Sequence, residues 1–179
     1  MKSTARRVLF TRLLPQTGLT LVELLVGIAV SSLVASASLI AVYGILTYSR
    51  QANDTQLAVA QVRAAEHWMS RDALSAQTVV LGVNSGFPLT LSWTAIDGDA
   101  IQITYSLVDV PSSTLKRLQR DYSDTGDPDS SLAVCEYIDS SLSSCTQSTS
   151  EALSVTLAAT VGVHTETRSF DVKMRPETS

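Results

Sequence analysis

Between Glu23 and Arg50 the chain runs through residues 24–49 without a charged side chain, LLVGIAVSSLVASASLIAVYGILTYS. A helix needs about 20 apolar residues to cross a bilayer, so this run predicts a membrane-spanning helix over about residues 20–46. It is longer than the apolar core of about 7–15 residues in a cleaved secretory signal, and is expected to stay in the mature protein as an anchor. From Leu19 to Gln77 there is no proline, and the only glycines are Gly27 and Gly44. One long helix over 19–77 is the expectation, its first half apolar on all sides. The second half alternates at helical spacing. Val62, Ala65, Met69 and Ala73 fall on one stripe with Trp68 at its border, while Arg63, Glu66 and His67 lie away from its centre. A helix of this kind leaves the membrane and packs one face on a soluble domain.

Beyond residue 77 the apolar period shortens to two. TVVLGV (78–83) and LTLSW (89–93) read as short strands. Asp97-Gly98 is a turn signal, followed by alternation through Ile101, Ile103, Tyr105 and Leu107. TLKRLQRDY (114–122) alternates again, the polar stretch SDTGDPDSS reads as a loop, and LSVTLAATV (153–161) and TRSFDVKM (167–174) read as two last strands. Ser-rich stretches such as SSLSSC read as loop. The fold class is therefore α+β: a long N-terminal helix packed on an antiparallel β-sheet domain over 78–179, with the strands following one another as a meander.

Charge changes the picture at the N-terminus. Residues 1–18 hold Lys2, Arg6, Arg7 and Arg12 and no acid, whereas the rest of the chain holds 9 basic residues against 17 acidic ones. A basic start followed by an apolar run is held on the cytoplasmic side of a membrane, which places the sheet domain outside the cytoplasm. So acidic a body argues against a nucleic-acid partner.

The junction of the two regions reads Gly18-Leu19-Thr20-Leu21-Val22-Glu23-Leu24-Leu25. With the basic leader before it and the apolar run after it, this segment resembles the class III signal of type IV pilins and type II secretion pseudopilins. The resemblance implies that a prepilin peptidase cuts between Gly18 and Leu19, removing 1–18 as a leader, and that the new amine of Leu19 is N-methylated. Glycine suits that position because it lets a protease approach the backbone closely. Glu23 is anomalous, since a carboxylate near the start of a membrane helix needs a partner; the cost on insertion scales reaches about 2.5–3.5 kcal/mol at a central position. The resemblance supplies a partner, the positive Leu19 amine of a neighbouring subunit; the plainer reading is a carboxylate at headgroup level. Small residues including Gly27, Ala29, Ser31, Ala35 and Ser38 would let helices approach closely, or are ordinary membrane-helix composition. Pilins with a proline in the middle of the membrane half kink there; this chain has Ile40 in that region.

Further along, AEHWMSRDALSAQTV, ITYSLVDVPSSTLKRL and LSVTLAATVGVHTETRSFDVKMR resemble W-type minor pilins and J-type pseudopilins, which share an Arg-Asp pair, here Arg71-Asp72, at the helix end. The implied role is a structural filament subunit. Its implied partners are other pilin or pseudopilin subunits through the N-terminal helix, the prepilin peptidase and N-methyltransferase, the membrane assembly platform and the lipid bilayer. A membrane-anchored adhesin or ligand-binding module, and a major pilin, are the competing readings.

Cys135 and Cys145 are the only cysteines. Placed outside the cytoplasm they are expected to form a disulfide, with two separately buried thiols as the alternative. Asp121, Asp124, Asp127 and Asp129 fall within nine residues. Some pseudopilins bind calcium in such a loop, although the spacing is not that of an EF-hand and also suits a solvated acidic turn. His67 and His164 have no second ligand at metal spacing, and no nucleophile motif or phosphate loop occurs. No enzyme, no cofactor and no metal is expected beyond that calcium candidate.

Overall fold

The computed structural model describes residues 20–125, 129–149 and 152–174. The chain divides into two compact units at Leu46/Thr47. Helix α1, Leu21–Ser75, contributes to both. It starts where Thr20 can cap it: the Thr20 hydroxyl accepts from the Glu23 N–H at 3.2 Å and the Thr20 carbonyl accepts from Leu24 at 3.2 Å. Thr20 with Glu23 three residues later is the capping-box pattern, and it puts a carboxylate in the first turn, beside the positive end of the helix dipole. In the first unit every described side chain is exposed. By length and composition the helix is long and apolar enough to cross a membrane.

The second unit holds the last turns of α1 and one eight-stranded antiparallel sheet. Its strands are β1 Thr78–Gly82, β2 Gly86–Thr94, β3 Ala100–Asp109, β4 Lys116–Asp124, β5 Ser130–Ile138, β6 Ser144–Thr149, β7 Ala152–Val161 and β8 His164–Lys173. Along the sheet the order is β1-β2-β3-β4-β5-β7-β6, with β8 paired to β7. The expected meander therefore holds from β1 to β5 and then breaks: β7 is inserted between β5 and β6. β5 meets β7 at one rung, Ile138 opposite Ala159. Where the ladder opens, α1 fills in, with the Glu136 N–H donating to Gln61 Oε1 at 2.7 Å. That bond satisfies an edge donor the sheet leaves unpaired.

The sheet curls back on itself. The Cys145 N–H donates to the Ser85 carbonyl at 2.8 Å, bringing β6 to the β1–β2 turn. Gly86 makes this approach possible. Its φ is 89°, and a Cβ there would strike the Cys145 carbonyl. The buried stripe of α1 is Ala58, Val62, Ala65, Met69, Asp72 and Ala73. It packs with Leu89, Leu91, Ile103, Tyr105, Leu118, Leu153 and Val155 into one core. The stripe expected from sequence is present, with one polar member added.

Candidate functional site

Gly18 and Leu19 lie outside the described residues; the helix that follows them does not. Its apolar side chains from Leu21 to Leu46 are exposed, for example Leu21 at 76% and Ile40 at 73%. An isolated chain in water would not keep such a surface uncovered, so lipid or neighbouring helices must cover it. Three serines in this stretch, Ser32, Ser36 and Ser38, are prepared for an apolar surrounding. Ser32 donates to the Ala29 carbonyl at 2.8 Å, Ser36 to the Ser32 carbonyl at 2.7 Å and Ser38 to the Val34 carbonyl at 2.8 Å. Each hydroxyl is satisfied within its own helix and costs little to take out of water. A Cβ added at Gly27 or Gly44 meets nothing within 4 Å. Glu23 is solvent-facing in the first turn.

The second constellation joins the end of α1 to the sheet. Asp72 is the polar member of the buried stripe, and its side chain is 5% exposed. Its Oδ2 accepts from the Tyr105 hydroxyl at 2.5 Å and from Arg120 Nε at 2.7 Å, and its Oδ1 accepts from Arg120 Nη2 at 3.3 Å. Arg120 also lies over Trp68, 5.1 Å from the ring centre, and over Tyr122 at 5.7 Å. Burial, and then the bond to Asp72, push the Tyr105 phenol up from its ordinary value. For Arg120, burial alone pulls the pKa down, but the hydrogen bond and charge of Asp72 outweigh it and the net direction is up. The group is a charged pair removed from water with its hydrogen bonds satisfied, which fixes how the helix sits on β3 and β4. The Arg71-Asp72 pair was visible in the sequence, but its members part company. Arg71 is exposed and reaches over the outer side of Trp68, at 5.4 Å from the ring centre. Tyr105 and Arg120 were missed as its partners. The signal was the helical phase, which puts Asp72 on the same stripe as Met69 and Ala73 and so demands a counter-charge from the sheet.

The cysteines depart from the expected disulfide. Cys135 on β5 and Cys145 on β6 are separate, buried thiols. β7 runs between their strands, meeting β5 at Ile138 opposite Ala159 and β6 at Cys145 opposite Val155. Burial pushes both thiols up from 9.0 to about 12; for Cys135 the Glu136 charge adds to it and a backbone bond from Leu118 opposes it. Because the folded pKa lies above the unfolded one, this contribution to stability is complete below about pH 9 and is lost as the pH rises towards 12. A thiol reagent at pH 8, without reductant, is expected to label neither cysteine in the native chain and both after denaturation. Two labels before denaturation would contradict the buried placement, and none after it would restore the disulfide.

The acidic loop is only partly in view. Asp127 lies outside the described residues. Asp121 accepts from Gln119 Nε2 at 2.9 Å and Asp124 from the Tyr122 hydroxyl at 2.9 Å. They stand three apart on one strand and so face opposite sides of it. Among the described residues no group of three or more His, Cys, Asp or Glu side chains is arranged to hold a metal ion.

A sequence-family model described as the prokaryotic N-terminal methylation motif matches residues 14–39. The match spans Gly18, Leu19 and Glu23 and runs into the exposed apolar part of α1. No curated protein and no solved structure matches the chain.

Proposed function

We propose that this type IV pilin-like chain is a structural subunit of a type IV pilus or type II secretion filament. It is made as a precursor whose residues 1–18 are removed, which leaves the helix and the sheet domain beginning at Thr78. The observation that carries this reading is the register of the methylation motif with the helix. The motif's glycine and Glu23 stand directly before a stretch whose apolar side chains all face outward. That stretch first sits in the cytoplasmic membrane, with the leader inside and the sheet domain outside, and then moves into the core of a filament beside other subunits. A prepilin peptidase and N-methyltransferase would make the mature Leu19 terminus. The segments resembling W-type minor pilins and J-type pseudopilins favour a low-abundance subunit that primes or caps the filament.

Glu23 is the residue to test. At the third position of the helix it would accept the methylated amine of a neighbouring Leu19 in an apolar surrounding, setting the axial register of the incoming subunit. Glu23→Val is expected to insert into the membrane at least as well as the parent chain. Its share in sheared filaments should fall about tenfold or more, the effect of losing ~1.4 kcal/mol. Equal recovery of variant and parent from filaments would refute the pairing.

A further inference from the structure

The charge of the second unit is segregated. No Lys or Arg occurs between Asp72 and Lys116, or between Asp121 and Arg168. The β2–β3 turn is consequently acidic and carries an apolar tip. Ile96 is fully exposed and is followed by Asp97 and Asp99. The turn is held by its own hydrogen bonds: Ala95 N–H donates to the Asp99 carbonyl at 2.9 Å, Gly98 N–H to the Ala95 carbonyl at 3.1 Å, and the Thr125 hydroxyl to Asp99 Oδ1 at 3.0 Å.

The outward side of α1 is the complement. A groove of about 540 Å³ is lined by Arg63, Glu66, His67, Ser70, Arg71 and Leu74. Arg63, His67 and Arg71 recur every four residues and are exposed. The carboxylate beside them, Glu66, is engaged by Arg168 at 2.8 Å. The groove therefore presents cations around an apolar end at Leu74, which is 61% exposed.

We propose that the Ile96 tip of one copy, with Asp97 and Asp99, docks into the Arg63–His67–Arg71 groove of a second copy. The two surfaces match in charge, and each supplies an apolar element to exclude water. A chain's own tip lies beside its own Leu74, where both line one further groove. Docking into the middle of the neighbour's groove, around His67–Ser70, then shifts the second copy by four to seven residues along the helix, about 6–10 Å. The contact joins different surfaces, so it propagates head to tail instead of closing a dimer. This rests on the filament reading above and adds to it that the subunit enters as adjacent copies, as a primer of the filament would and a single terminal cap would not.

The test uses two differently tagged full-length chains expressed together, one with Ala95→Cys and one with Ser70→Cys, and a short bis-maleimide cross-linker, which alkylates one thiol at each end. The buried Cys135 and Cys145 are protected. A product carrying both tags is expected in membranes and in sheared filaments. Arg63→Glu with Arg71→Glu in the groove-bearing copy should lower its yield about tenfold or more, as like charges are brought together. Asp97→Arg in the tip-bearing copy should do the same, and combining the two reversals should restore it. Ile96→Ser, which leaves the charges alone, should lower the yield in the same assay. No two-tag product while both chains are recovered from filaments would overturn this contact alone, as would a yield indifferent to the reversals or unrestored by their combination. Absence of both chains from filaments would overturn the filament reading with it.

Discussion

Replacing Asp72 with alanine is expected to cost the second unit roughly 3–5 kcal/mol, the usual effect of removing one partner from a buried ion pair. The expectation follows from exposure: the Asp72 and Arg120 side chains are 5% and 12% exposed, so the guanidinium left behind has little access to water. Tyr105 loses its acceptor in the same step, and it is among the largest fully buried side chains. A loss of that size is a large part of the ~5–15 kcal/mol that holds a domain together. Thermal or denaturant unfolding of the detergent-solubilised chain should show it directly. Asp72→Asn keeps a hydrogen-bond acceptor without the charge and should fall between parent and alanine variant. A loss under about 1 kcal/mol for Asp72→Ala would mean that the pair does not pin the helix to the sheet.

Gly18→Val is expected to abolish processing. The proposed cut lies directly after this residue, inside the matched motif, and a β-branched side chain there would obstruct an enzyme that must reach the backbone. The chain should accumulate in the membrane as a precursor retaining Lys2, Arg6, Arg7 and Arg12, and none should reach filaments. Gly18→Ala, which adds one methyl group, should be processed in part. The readout is the intact mass of the membrane-bound chain. Normal removal of the leader from the valine variant would show that cleavage occurs elsewhere.

Much of this architecture was legible because the relevant patterns are local. The uncharged run 24–49 and the stripe through Val62, Ala65, Met69 and Ala73 announce α1 through composition and phase. β3 and β7 announce themselves through alternation, with buried Ile103 and Tyr105 in one and buried Leu153, Val155 and Leu157 in the other. β5 and β6 were missed for an equally physical reason. Ser130–Ile138 begins SSLA with four exposed residues, and Ser144–Thr149 buries only Cys145. Their strand character comes from backbone pairing, with β4 for β5 and with β7 for β6, which sequence periodicity does not encode. At the end of α1, the sequence displayed Asp72 but not its partners, because Tyr105 and Arg120 lie 33 and 48 positions away along the chain. At its start, the Thr20–Glu23 capping box was readable from the sequence alone and was overlooked in favour of the charge anomaly at Glu23. A carboxylate in the first turn steadies the helix end, which is compatible with the role proposed for it in holding a neighbour's amine.

The most direct measurement is N-terminal mass spectrometry of this chain recovered from sheared extracytoplasmic filaments. The account predicts a chain present in that fraction, beginning at Leu19 and carrying a methylated amine. A chain that retains Met1, that begins beyond residue 30, or that is found in membranes and never in filaments would contradict it.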